Sequence, residues 1–175
     1  MKIGITERGD PSCDRSWVQW VRDGKPAILI TKNPLVIYDI IRKIDGVNVI
    51  VHCTITGMGG TVFEPNAPPV KEAIEGYHKL IKNYGKDRIV FRIDPIIPTK
   101  KGEEIAFGVL KLANILKEMR KEDHVRVRIS FLDLYPNVKE KLLKLGIGLP
   151  EYDFHAPIEV RKRIWEKMGK PEICS

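Results

Sequence analysis

Five short apolar runs, each ending in a cluster of polar residues and separated from the next by a helix-length stretch, constrain this chain most. Ile3-Gly4-Ile5 leads into Thr6-Glu7-Arg8-Gly9-Asp10, and Ala27-Ile28-Leu29-Ile30 into Thr31-Lys32-Asn33. Val49-Ile50-Val51 leads into His52-Cys53-Thr54-Ile55-Thr56, and Ile89-Val90-Phe91 into Arg92-Ile93-Asp94. Val125 to Ile129 leads into Ser130-Phe131-Leu132-Asp133. Strands separated by helices of this length imply right-handed crossovers and a parallel sheet. In parallel α/β folds the carboxyl ends of the strands form the ligand-binding rim. Five polar endings in order therefore point to one shared site.

The intervening segments read as helices. Asp10-Pro11 looks like a helix start, with Asp as cap and Pro at the first helical position, placing Trp17, Trp20 and Val21 on one face. A second helix runs from Pro34 to near Asp45-Gly46, with Val36, Ile37, Ile40, Ile41 and Ile44 inward. The third is the clearest: Val70, Ala73, Ile74, Tyr77, Leu80, Ile81 and Tyr84 follow i, i+3, i+4, i+7 spacing, and Gly85 is its cap. A fourth, about Glu103 to Lys121, carries Ile105, Ala106, Val109, Leu112, Ala113, Leu116 and Met119 on one stripe. Shorter helices follow near Val138 to Leu145 and Pro157 to Met168. Residues 146–175 read as a linker and a C-terminal helix within one domain spanning 1–175.

Five such units suit either an open doubly wound sheet or somewhat more than half of an eight-stranded barrel, and are too few to close one. The expected fold class is α/β: consecutive βα units with a parallel sheet of about five or six strands, in one or other of these two arrangements. An open parallel sheet leaves edges to be covered, which points to self-association or a partner chain.

Side chains alternate across a strand, so His52, Thr54 and Thr56 share a face. So do Arg92 and Asp94, also Arg126, Arg128 and Ser130, and also Gly4, Thr6 and Arg8. Buried parallel strands normally read as unbroken Val/Ile/Leu runs, so one polar face in strand after strand is not ordinary core. Lys32, Arg8, Arg92, Arg126 and Arg128 give a cleft a potential suited to carboxylate or phosphate. Glu7, Asp10, Glu64, Asp94 and Asp133 are candidate acids, bases or hydroxyl binders, and His52 is a candidate base or ligand. The competing reading makes Arg92 and Asp94 a strand-end ion pair and His52 a core residue. Gly57-Met58-Gly59-Gly60 opens no helix, so it is neither a dinucleotide fingerprint nor a P-loop. Trp17, Trp20 and Trp165 sit at helical spacing and read as core or interface.

Lys and Arg total 30 against 23 Asp and Glu, a net charge of +7 that favours anionic partners, nucleic acid included. The Lys, Glu and Ile bias, with a single Gln, has a thermophilic cast. Cys13, Cys53 and Cys174 show no CxxC spacing, which argues against a disulfide framework. Met1-Lys2-Ile3-Gly4 leads straight into a strand-like run, and no apolar run reaches the roughly 20 residues that cross a bilayer. The expectation is a cytoplasmic protein with reduced thiols and no membrane partner.

The run Gly4-Ile5-Thr6-Glu7-Arg8-Gly9-Asp10-Pro11 resembles the first strand of an uncharacterised domain family related to radical SAM (S-adenosylmethionine) enzymes. Thr31-Lys32-Asn33-Pro34, Thr54-Ile55-Thr56-Gly57 with Glu64-Pro65, Arg92 to Pro98, and Ser130 to Tyr135 resemble the same family. The order Thr-Lys, Glu-Pro and Arg-x-x-Pro-x-x-Pro is also similar to the barrel region of spore photoproduct lyase-like DNA repair proteins. The resemblance covers residues 2 to 136. It implies a partial (incomplete) TIM-like barrel that binds S-adenosylmethionine or a related nucleotide and acts on an anionic substrate, nucleic acid included. In that frame Lys32, Arg92 and Arg128 hold carboxylate or phosphate, while Thr6, Arg8, Thr54, Thr56, Glu64 and Ser130 position the cofactor. Asp94, Asp133 and His52 are the catalytic candidates.

Radical SAM enzymes hold a [4Fe–4S] cluster on three cysteines. Here the first βα loop has only Cys13, and Cys174 stands where the family's C-terminal cysteine cluster would begin, which makes it the metal-ligand candidate. The alternative is a cluster-free anion- or nucleotide-binding module. An ordinary hydrolase or lyase using His52 and Asp94 is a third class without a diagnostic motif.

Overall fold

The computed structural model describes residues 2–6, 9–44, 48–119, 121, 124–144 and 149–173. Glu7, Arg8, Cys174 and the expected end of the second helix at Asp45-Gly46 lie outside the described residues. The strands are β1 (Gly4–Ile5), β2 (Ala27–Thr31), β3 (Val49–Thr54), β4 (Ile89–Ile96), β5 (Arg126–Phe131) and β6 (Glu172–Ile173). Between them lie α1 (Ser16–Arg22), α2 (Pro34–Ile41), α3 (Val70–Tyr84), α4 (Lys100–Leu112), α5 (Ile115–Glu118), α6 (Pro136–Lys144) and α7 (Ile158–Lys167).

The six strands form one all-parallel sheet in chain order, each paired with its sequence neighbour, and the sheet does not close. A doubly wound sheet reverses its strand order at a switch point. This one never reverses, so of the two architectures the alternation allowed, the open barrel segment is the one formed.

Alternation along each strand sorts the residues onto two faces. Leu29, Val51, Cys53, Phe91, Ile93, Val127 and Ile129 belong to the buried core with Trp17, Ile37, Tyr77, Leu80, Leu110 and Ile164 from the helices. Tyr77 and Phe91 meet edge-on with ring centroids 5.0 Å apart. The opposite face carries the polar series. The sheet edges are blunt, since β1 and β6 are two residues each among the described residues, and short edge strands offer little to pair with. Ile5 and Ile173 are nevertheless exposed there.

Local structure departs from the sequence reading in three places. The first helix begins at Ser16, not at Asp10-Pro11. Asp10 instead turns its carboxylate to Ser12 and to the end of β2, so it serves a tertiary contact rather than a cap. The fourth helix is two pieces: Asn114 takes a left-handed conformation (φ 58°) that stops α4, and its carbonyl accepts from Lys117 and Glu118 to start α5. Leu112, expected inward, is consequently exposed. The C-terminal segment also adds β6 after its helix, a strand whose two residues carry no apolar alternation. Among the described residues, no helix is long and apolar enough to cross a membrane.

Candidate functional site

Strand register assembles the polar face. Thr54 pairs with Arg92, Arg92 with Arg128 and Arg128 with Glu172, forming one row across β3 to β6. One step earlier along the strands, His52 pairs with Val90 and Val90 with Arg126. Past Ile93 the β4–β5 register shifts, and Ser130 donates to Asp94 Oδ1 while Arg92 Nη2 pairs with Asp94 Oδ2. Such an irregularity re-aims a side chain at a strand end.

At the carboxyl ends of β1 to β4 these groups line a cleft of about 300 Å³, with Thr6, Asp10, Lys32, Thr54, Arg92 and Asp94 on its walls. Its floor contains an anomaly. Thr54 is 4% exposed, and its hydroxyl oxygen has no hydrogen-bond partner among the described residues. A buried hydroxyl without a partner costs about 1–3 kcal/mol.

Asp10 organises the β2 side. Its Oδ1 accepts from the Ser12 amide at 2.9 Å and from Thr31 Oγ1 at 2.8 Å, and Oδ2 accepts from the Lys32 amide at 2.7 Å. Thr31, itself 1% exposed, accepts from the Asn33 amide at 2.8 Å. Thr6 Oγ1 likewise accepts from the Ile30 amide at 3.0 Å, tying β1 to β2. Replacing Asp10 with Ala strands three donors at once, and the expected loss of stability in urea unfolding is about 2 kcal/mol.

Glu64 joins the long β3–α3 loop to the rim. Its Oε2 accepts from Thr56 Oγ1 at 2.6 Å, and its Oε1 pairs with Lys32 Nζ. The loop can follow this path because Gly57 and Gly60 adopt positive φ (83° and 73°), a region that suits glycine. A side chain on Gly59 would meet the Pro68 carbonyl oxygen at 2.0 Å. The glycine run thus serves close packing of the loop on itself.

Deeper on the face, Arg126 and Arg128 converge on Glu172 of β6, which neither alternation nor motif had singled out. Hydrogen bonds from Arg126, joined by those from Arg128, hold the Glu172 carboxyl at about 2. His52 is 6% exposed. Burial, reinforced by the positive charges of Arg128, Arg92 and Arg126 and opposed only by Glu172, pushes its pKa down to about 4. At neutral pH it is therefore an uncharged imidazole.

The structure thus brings together Thr6, Lys32, Thr54, Arg92 and Asp94 in the cleft. Thr56 and Glu64 stand behind Lys32, Ser130 stands behind Asp94, and His52, Arg126 and Arg128 share the deeper row. Asp133 is not among them: it does not line the cleft, and its Oδ1 lies 2.8 Å from His155 Nδ1. Nearly every cation has a carboxylate, with Lys32 on Glu64, Arg92 on Asp94, and Arg126 and Arg128 sharing Glu172. The face is mixed in charge rather than uniformly positive, so the net charge of the chain is carried elsewhere on its surface. Sequence could not reveal the Glu172 contact, because its partners lie 44 and 46 positions away.

The described cysteines do not fit an iron–sulfur cluster. Cys13 is an exposed free thiol, whereas Cys53 lies in the core on the helix side of the sheet, where burial pushes its thiol pKa up. Among the described residues, no three His, Cys, Asp or Glu side chains group as a metal site.

An open, sequentially wound β/α sheet with a polar rim at its strand ends defines the class of this protein: a barrel-segment domain built around a small-molecule-sized cleft. Residues 18–172 match the family described as Domain of unknown function (DUF1848), and the chain belongs to that family. No curated protein matches the chain.

Proposed function

We propose that the cleft binds a small polar ligand of the S-adenosylmethionine or nucleotide class, and that the described domain acts as a cluster-free binding module. The observation that carries this reading is the Thr54 hydroxyl, buried without a partner at the floor of the cleft. A ligand donor or acceptor would complete it. The walls favour a ligand of mixed charge: Asp10 and Asp94 suit an ammonium, a sulfonium or ribose hydroxyls, and Arg92 and Lys32 suit a carboxylate or phosphate. S-adenosylmethionine carries an ammonium, a sulfonium, a carboxylate and ribose hydroxyls, and the sequence resemblance points to it. The +7 charge supports an anionic substrate, nucleic acid included, for the protein as a whole.

Radical chemistry is the second reading, favoured by the retained polar order from Thr6 to Ser130. A [4Fe–4S] cluster would supply reductive cleavage of S-adenosylmethionine, but its thiolates must come from outside the described residues. Anaerobic iron–sulfide reconstitution checks that reading by cluster absorbance.

The binding reading has a test with two readouts of opposite sign. Thr54→Val removes the orphan hydroxyl, so the free protein is expected to gain about 1 kcal/mol in urea unfolding. The same variant is expected to bind S-adenosylmethionine about tenfold more weakly in equilibrium dialysis, from one lost hydrogen bond. Arg92→Ala is expected to abolish binding while its circular dichroism stays that of the folded protein. Wild-type affinity in both variants sinks the assignment of the cleft.

A further inference from the structure

The polar face of the sheet holds a second cationic group that the cleft does not use. Arg126 donates from Nε to Glu172 Oε1 at 3.0 Å and from Nη2 to Oε2 at 3.3 Å, and Arg128 donates from Nε to Oε2 at 2.6 Å. This is the forked geometry by which guanidinium groups grip carboxylate and phosphate. Two guanidinium groups share one carboxylate, which leaves one positive charge over. Arg92, next in the row, adds no free charge because Asp94 neutralises it.

The occupant is held by these ion pairs at a partly exposed sheet edge. Among the described residues, Glu172 belongs to a two-residue edge strand that meets β5 through the pairs Arg128–Glu172 and Ile129–Ile173. Its side chain is 41% exposed, and Gly169 and Lys170 enter the strand through positive φ values of 81° and 60°. The last fixed point before the strand is the Trp165 indole, which donates to the Pro171 carbonyl at 2.8 Å.

We propose that Arg126 and Arg128 form a subsite for a phosphate dianion, free or as a monoester, and that Glu172 occupies it in the free protein as a displaceable internal competitor. A carboxylate neutralises one of the two guanidinium charges, whereas a phosphate dianion neutralises both and offers three acceptor oxygens to their donors. That difference selects phosphate over a second carboxylate. The subsite rests on reading the polar face as the ligand-binding surface, and it favours the nucleotide member of the ligand class named above, since S-adenosylmethionine carries no phosphate.

Inorganic phosphate is the probe, and the His52 imidazole is the reporter, because its titration already senses Arg126, Arg128 and Glu172. Phosphate bound to the arginines is expected to shift the His52 ring-proton resonances when phosphate is titrated in at about pH 8, where it is the dianion, by offsetting their positive field. Sodium chloride at matched ionic strength is expected to move them far less. Glu172→Gln keeps the shape of the competitor and removes its charge, so phosphate is expected to bind that variant about tenfold more tightly than wild type. Arg126→Ala and Arg128→Ala, separately, are expected to lose the response.

Equal or weaker phosphate binding by Glu172→Gln overturns the competitor. Acetate binding as tightly as phosphate overturns the assignment of a dianion. Thr54→Val, which tests the cleft, is expected to leave the phosphate response intact. Loss of the response in that variant places phosphate in the cleft instead and overturns the subsite. Failure of S-adenosylmethionine binding with the phosphate response preserved removes only the cleft ligand.

Discussion

Gly76→Ala is expected to destabilise the protein by about 3 kcal/mol, an unusually large effect for adding one methyl group to a helix. Gly76 sits in α3 where α2 crosses it. A Cβ there would lie 2.3 Å from the Leu35 amide nitrogen, 2.7 Å from Leu35 Cα and 2.7 Å from the Pro34 carbonyl carbon. All three are backbone atoms, so no rotamer change relieves the clash and the helices must separate. Separation loosens Ile37 and Ile41 against Tyr77 and Leu80, which are all buried. Helix propensity pulls the other way, since Ala is favoured over Gly by about 1 kcal/mol. Gly108 supplies the control, because it lies in α4 and a Cβ there would meet nothing within 4 Å. Gly108→Ala is expected to stabilise by about 1 kcal/mol from propensity alone. Urea unfolding followed by circular dichroism reads both variants. If both move stability upward, the close α2–α3 crossing is wrong.

Gly76 also marks the boundary of what the sequence discloses. The stripe Ala73, Ile74, Tyr77 and Leu80 shows that α3 buries one face, and the structure buries those residues. It cannot show which position touches another backbone, because a glycine carries no hydropathy signal and its partner lies on a different helix. The alternation of apolar runs and helices was enough for a parallel α/β sheet and its polar face. Choosing between a doubly wound sheet and a barrel segment required the strand order, which no local pattern encodes.

The site follows the same logic. Period-two alternation placed His52 with Thr54, Arg92 with Asp94, and Arg126 with Arg128, because face sharing along one strand is a local property. Pairing between strands is a matter of register, and it joined Glu172 to the arginines and Ser130 to Asp94. Asp10 misled for an instructive reason. Asp-Pro is a sound helix-start signal, yet the carboxylate found better donors on Thr31 and Lys32, across the sheet. Asn114 was the more readable miss, since Asn is among the few residues that accept a left-handed backbone and so can end a helix within an apolar stripe.

His52 gives the second large expected effect, a fold that weakens under mild acid. Its pKa in the folded protein is about 4, against 6.5 for a free imidazole. As pH falls, the unfolded chain therefore takes up the proton first. The stabilisation from neutral His52 is complete above 6.5, drains away between 6.5 and 4, and changes no further below that window. Between about pH 7 and about pH 5 the expected loss is about 2 kcal/mol. Burial of the ring sets the direction, and the charged groups facing it reinforce that: Arg128 and Arg126 on β5 and Arg92 on β4 disfavour the imidazolium, and Glu172 on β6 favours it. Glu172 itself titrates near 2, so its own contribution persists through this range and does not blur the reading. His52→Gln removes the titrating group while keeping a polar side chain of similar reach. Unfolding free energies from urea are expected to fall between neutral pH and about pH 5 for wild type, and to fall by about 2 kcal/mol less for the variant. Parallel losses in the two proteins would place the acid sensitivity elsewhere and would deny that burial and the three arginines keep His52 neutral.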